Sequence, residues 1–319
     1  MLVSDGRYVM GTILEITLVA DDPEKARATL EGLFRLGEEL GDRFTTWNAD
    51  SELSRLNRSA GAAPRPVSAE LAKLIGISVR YAELSGGSFD VTVGPLVDLW
   101  RQAGRSGKLP AAEDLEAARA RVGTQHIQLG PDGVVGLRSP GVSIDLGGVA
   151  KGYALDRMRA ELQRQEVRAA LLSFGQSSTW ALGRPPDAAG WRLLALGPGE
   201  DLLGVLSLED RALSVSGSLG QWSEIEGRRY GHVLDPRSGQ PLTRRRQALV
   251  VTGDASLAEA LSTALLVQGE VEGMALIESQ PDCEALLADA DGRTWRSSGW
   301  DAATRFEKLE PASSPPGRP

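Results

Sequence analysis

Asp145-Leu146-Gly147-Gly148-Val149-Ala150-Lys151 sets a carboxylate, two glycines and a lysine where the alternating segment Val142-Ser143-Ile144 runs into helically spaced Ala154, Leu155 and Met158. Glycines at such a junction let backbone N–H groups approach a ligand, and a helix N-terminus favours negative charge, to which Lys151 adds a full positive one. The stretch reads as an anion-binding turn in outline. An ordinary strand-to-helix turn is its rival, because the spacing matches neither G-x-x-x-x-G-K-[ST] nor G-x-G-x-x-G. Glu259 and Thr263 lie one helical turn apart and offer two hard oxygen donors for a cation, or else a solvated Glu beside a Thr bonded back to its own helix. His232 precedes the turn signal Asp235-Pro236-Arg237-Ser238-Gly239, so it ends a strand as a packed residue or a base. Trp47, in a polar loop, is a core plug or a platform for a planar ligand. Asp90, close to Gly86-Gly87, contacts a ligand or bonds its own turn.

Residue counts limit the chemistry further. With one cysteine, Cys283, and two histidines, His126 and His232, neither an intramolecular disulfide nor a His/Cys metal cluster can form. A metal would have oxygen ligands, which suit Mg²⁺ or Ca²⁺. The 319 residues are 41% hydrophobic and 24% charged, as in an ordinary globular protein. A net charge of -8 argues against a nucleic-acid surface, and Arg244-Arg245-Arg246, the one basic cluster, reads as a solvated loop. No run approaches the ~18 apolar residues of a membrane span. Met1 to Arg7 carries neither a basic nor an apolar leader region, so the expected compartment is the cytoplasm unless a leader has been removed.

These residues need elements to hold them. Alternation predicts a strand over Thr12–Val19 behind a Met10-Gly11 bend, and Asp22 with Pro23 starts a helix whose apolar face is Ala26, Leu30, Leu33, Phe34 and Leu40. A short helix follows Trp47, another spans Ala69–Leu84, and an exposed one spans Ala112–Val122. A hairpin formed by His126–Leu129 and Val134–Leu137 leads into a strand at Val142–Leu146. Short strands dominate beyond Met158, which favours antiparallel pairing. Asp254 caps a helix from Ala255 to Val267, a second helix covers Val271–Ile277, and the tail Ala312–Pro319 is disordered by composition.

Seven separated motifs occur in one order. They are Met10-Gly11-Thr12; Thr46-Trp47 through Ser51-Glu52-Leu53 to Asn57; Gly87-Ser88-Phe89-Asp90 through Gly94-Pro95-Leu96 to Trp100; Asp145 to Tyr153; Ser216-Gly217; His232 to Gly239; and Ala258-Glu259-Ala260-Leu261-Ser262-Thr263. Together they resemble the ApbE family, the FAD:protein FMN transferases. The resemblance implies an α+β, T-fold-like protein of mostly antiparallel sheets and packed helices, with FAD in a cleft between two lobes. One domain would cover residues 1–308, with a disordered tail over 309–319. It further implies Mg²⁺-dependent transfer of FMN from FAD to a Thr or Ser hydroxyl of an acceptor flavoprotein, releasing AMP.

On the family pattern, Met10, Trp47, Ser88, Phe89, Asp90, Asp145, Lys151 and the Val233 backbone would line the FAD site. Mg²⁺ would be held by backbone oxygens of Gly148 and Ser262 and by the side chains of Glu259 and Thr263, with His232 as the base. Gly147-Gly148 would then bring a carbonyl to the metal rather than N–H donors to a phosphate. Three positions depart from the pattern: Glu259 stands for the usual Asp, Gly175-Gln176-Ser177 for Gly-Gly-Asp or Gly-Gly-Asn, and Val215 for Thr. None removes a charge that the chemistry needs. Two alternatives stay open, a Mg²⁺-dependent FAD pyrophosphatase yielding FMN and AMP, and a non-catalytic FAD-binding or flavin-trafficking protein.

Overall fold

The computed structural model describes residues 1–175, 177–199 and 201–309, so most of the expected tail, and Gln176, lie outside the described residues. Leu2–Val9 and Thr12–Val19 form a hairpin that pairs Val9 with Thr12 across Met10-Gly11. Both turn residues have positive φ (51° and 82°), the backbone that lets a two-residue turn match the twist of its strands. The expected alternation is present, with Leu14, Ile16 and Leu18 buried on one face.

That hairpin begins an eight-stranded, wholly antiparallel sheet whose strands neighbour one another in chain order. The others are Ala170–Phe174, Ser178–Leu182, Arg211–Gly217, Arg246–Thr252, Glu284–Asp289 and Thr294–Arg296. Nearly everything else is inserted between consecutive strands, and a short helix, Trp300–Thr304, and the strand Glu307–Lys308 follow the last one. Between the second and third come α1 (Pro23–Phe44), α2 (Glu52–Arg58), α3 (Ala69–Leu84), α4 (Gly94–Ser106), α5 (Ala112–Arg119), a small three-stranded sheet and α6 (Ala150–Arg164). After the sixth strand comes α7 (Ala255–Glu278).

Local signals explain the helix starts. Asp22 accepts from the amides of Glu24 (2.9 Å) and Lys25 (3.2 Å), and Asp254 accepts from that of Leu257 (2.8 Å). One face of the large sheet packs Leu172, Trp180, Ala248 and Val250 under α1, α6 and α7. The other packs Leu213, Leu249 and Val251 under Trp300 and a three-stranded sheet that includes Trp191–Leu196 and Leu202–Leu208. The first turn of α7 lies so close to α6 that a Cβ on Gly152 would fall 2.3 Å from the Ala255 carbonyl oxygen. Among the described residues α7 is the one helix long and apolar enough to cross a membrane, and it serves here as a core helix against the sheet.

Four expectations change. Val142–Leu146 joins no ladder: the Asn57 carboxamide accepts from the Ile144 amide and donates to its carbonyl (2.9 Å each), and the Asp145 amide bonds the Val91 carbonyl (2.7 Å). One side chain does the work of a neighbouring strand, so the alternation survives as burial of Val142, Ile144 and Leu146. The two expected helices after Asp254 are one element broken at Gly269, whose φ of 79° leaves the helical region. Helix α5 stops at Arg119, short of Val122. A hairpin of Trp222–Ile225 and Arg228–Gly231 appears where no strand was expected, because its charged positions hide any alternation.

Candidate active site

Glu259 projects from the second turn of α7 and is 4% exposed. Ser178, from the fourth strand of the large sheet, donates its hydroxyl to Glu259 Oε1, and Lys151 Nζ lies 3.5 Å from the same oxygen. Glu259 Oε2 is buried and has no hydrogen-bond partner among the described residues. One turn on, the buried Ser262 hydroxyl donates to the Glu259 carbonyl (3.0 Å) and meets the hydroxyls of Ser214 (3.0 Å) and Ser216 (2.7 Å). The Gly147-Gly148 turn closes over this end of α7: a Cβ on Gly148 would lie 3.4 Å from the Phe89 ring and 3.9 Å from Thr263 Oγ1. Gly148, Lys151, Glu259, Ser262, Thr263 and Phe89 therefore meet, although the sequence spreads them over 175 positions.

These donors fit a hard divalent cation. Apart from the Lys151 ammonium and the Phe89 ring, the groups that meet here present oxygens, and the orphaned Oε2 is a buried acceptor whose desolvation is uncompensated as it stands. Among the described residues no three His, Cys, Asp or Glu side chains gather, so one carboxylate would act with hydroxyl and carbonyl oxygens.

The turn is less suited to cradling a phosphate. The Gly147 amide donates to Asp145 Oδ1 (2.8 Å), and those of Val149 and Ala150 to the Leu146 carbonyl (3.0 and 2.9 Å). Those N–H groups are already committed.

Asp145 also lines a depression of about 320 Å³ with Thr46, Trp47, Asn57, Asp98 and Arg101. Trp47 is 79% exposed, which rules out a core plug, and the Arg101 guanidinium stands 4.8 Å from its ring centroid. A flat, cation-backed aromatic surface is thereby open to solvent. A larger depression of about 420 Å³, lined by Glu39, Asp42, Arg43, Glu52 and Arg55, offers charges of both signs and no aromatic surface.

The remaining expected site residues divide. Asp90 accepts from the Thr92 amide (2.7 Å) and hydroxyl (2.6 Å), so it caps its own turn, and burial raises its pKa. The buried Ser88 hydroxyl donates to the Ser85 carbonyl and accepts from the Gln268 side-chain carboxamide (2.7 Å each). Met10 sits half-buried in the first hairpin turn, and Val233 has its carbonyl bonded by the Leu242 amide (2.9 Å). His232 follows directly on Gly231, the last residue of the unexpected hairpin, with Nδ1 3.1 Å from the Gln221 carbonyl oxygen. The residue keeps solvent access while protein crowds the ring from its other sides. Loss of water around the ring holds its pKa below the ordinary value, and the Lys151 charge adds to this against the opposing Gln221 carbonyl.

Sequence reasoning missed two supports. Asp156, on α6, accepts from the Ala255 and Ser256 amides (2.8 and 2.9 Å) and fixes the start of α7. Burial and then the nearby Asp254 carboxylate push its pKa up to about 7, against those hydrogen bonds. The other support is the pair Ser178 and Ser214, which joins Ser216 of the Ser216-Gly217 motif beneath α7 and which only the pairing of the strands brings there.

Known proteins resemble this chain along most of its length. The FAD:protein FMN transferase of Vibrio cholerae is 32% identical over 277 residues, 85% of this chain and 82% of that protein, and that of Klebsiella pneumoniae is 30% identical over 92% and 87%. Among solved structures, flavin transferase ApbE from Vibrio cholerae superimposes with a TM-score of 0.81 at 28% identity, covering 95% of this chain and 99% of that one. The ApbE protein of Thermotoga maritima gives 0.86 at 27% identity over 96% and 100%. The sequence profile of the ApbE family matches residues 10–287, and the chain belongs to that family.

Proposed function

We propose that this chain is an FAD:protein FMN transferase that moves FMN from FAD to a Thr or Ser hydroxyl of an acceptor flavoprotein, with Mg²⁺ and with release of AMP. The observation that carries this reading is the buried, unpartnered Glu259 Oε2 set among hydroxyl and carbonyl oxygens beside Lys151, in a member of this family. Glu259 and Thr263 side chains and the Gly148 and Ser262 carbonyls would hold the cation. Bound there, Mg²⁺ supplies charge neutralisation for a pyrophosphate. Trp47 and Arg101 offer a stacking surface to a ring of the dinucleotide, and Asp145 can accept from ring or ribose donors. Lys151 answers pyrophosphate charge once it turns from Glu259.

The acceptor oxygen bonds the FMN phosphorus as the phosphorus–oxygen bond to AMP breaks, and His232 takes the proton of the incoming hydroxyl. A lowered pKa keeps its imidazole neutral, as a base must be. Incubation with FAD, Mg²⁺ and a candidate acceptor tests the reading. Covalent flavin on the acceptor with stoichiometric AMP supports transfer. FMN and AMP without an acceptor mark a pyrophosphatase, FAD bound without turnover marks a binding protein, and no FAD binding overturns the reading.

A further inference from the structure

We propose that Ser178 is a positioning residue which adapts this metal site to a glutamate, an inference that rests on the function proposed above. Glu259 carries one more methylene and one more rotatable bond than an aspartate, so its carboxylate reaches further from α7 and has more conformations to lose. The structure shows where that extra reach goes. The carboxylate extends to the sheet, where the buried Ser178 hydroxyl donates to Oε1 and Lys151 Nζ stands 3.5 Å from the same atom. Both protein partners fall on one oxygen, and Oε2 is left buried and free. A carboxylate tied in this way presents one oxygen in a fixed place.

The surroundings support a purpose beyond packing. Ser178 pairs directly with Ser214 across the ladder, and Ser214 and Ser216 meet Ser262 on the next turn of α7. Elsewhere this sheet face meets its helices with Trp180, Leu182, Ala212, Ala248 and Val250. Hydroxyls replace apolar side chains where the sheet underlies the proposed ligands Glu259 and Ser262. Such outer partners of ligating groups typically change metal affinity by about 10–100-fold when removed.

Calorimetric titration of Mg²⁺ into the FAD-loaded full chain tests the inference, with Glu259→Gln as the control that removes the ligand charge. Ser178→Ala should weaken Mg²⁺ binding about tenfold or more in the Glu259 chain. In the Glu259→Asp background the shorter side chain no longer reaches Ser178, and Ser178→Ala should then change affinity less than about twofold. Ser178→Thr, which keeps the hydroxyl, should retain most of the affinity. Wild-type binding that Ser178→Ala leaves unchanged, or an equal loss in both backgrounds, overturns the role of Ser178 while the proposed function stands. Absence of Mg²⁺ binding to the wild-type chain overturns the metal reading, and this inference with it.

Discussion

Lys151 Nζ lies 3.5 Å from Glu259 Oε1, so a lysine from the first turn of α6 neutralises a carboxylate buried on α7. Removing one partner of a buried pair leaves the other charge uncompensated. Lys151→Gln should lower stability by about 1–3 kcal/mol, less than the full cost because the lysine side chain is 24% exposed and Ser178 still donates to Glu259. Urea unfolding measures this, and added Mg²⁺ should stabilise the variant more than the wild type. An unchanged midpoint would remove the pair from the account of stability.

His232→Ala should lower transfer by about 10²–10⁴-fold while FAD binding changes little, as initial rates and a flavin-fluorescence titration would report. A depressed pKa means that the ring sheds its proton at lower pH, so the basic form persists as the solution is acidified. The acid limb of kcat/KM should therefore lie below pH 6.5, the ordinary histidine value. Lys151→Gln should move the limb upward. A limb above 6.5 in the wild type would exclude His232 as the base.

Trp47 is held by little more than Arg101 and its own loop, so Trp47→Ala should alter stability by less than about 0.5 kcal/mol. FAD affinity should fall by about 3–10-fold, the worth of one aromatic contact, and Trp47→Phe should restore most of it. Equal FAD affinity in all three chains would place the dinucleotide elsewhere.

Asp156→Ala strips two amides at the start of α7 of their acceptor and should cost about 1–3 kcal/mol. The folded pKa of Asp156 stands above its ordinary 3.8, so between those values the folded chain binds a proton that the unfolded chain has released. Its contribution to stability therefore falls as pH rises towards about 7. Asp156→Asn should flatten that slope in denaturation curves recorded from pH 5 to pH 8, and an unaltered slope would assign it to other groups.

Local chemistry made much of this molecule legible. Asp22-Pro23 marks the start of α1 and Ser85-Gly86-Gly87 the end of α3, because caps act over three or four residues. The glycine break in α7 was visible as a gap between two helical patterns. Asn57 standing in for a strand beside Ile144 was not, since alternation reports which side chains are buried and not what bonds the backbone. Asp90 and Ser88 were readable as polar residues in an apolar context, while their inward partners Thr92 and Gln268 depend on the fold. Ser178 escaped for the same reason: it becomes informative only when the sheet sets it under Glu259.

The chain-order sheet has a consequence for synthesis on the ribosome. Thr12–Val19 needs Ala170–Phe174 as its inner neighbour, yet 150 residues separate Val19 from Ala170. At about 5–20 residues per second, the newborn hairpin waits roughly 8–30 s with one row of amides and carbonyls unclaimed. Helix α1, which emerges next, brings Leu30, Leu33 and Phe34 to the apolar row Leu14, Ile16 and Leu18. The nascent chain thus has an early cover for its greasy face but none for its open strand edge, the part that a chaperone would have to guard.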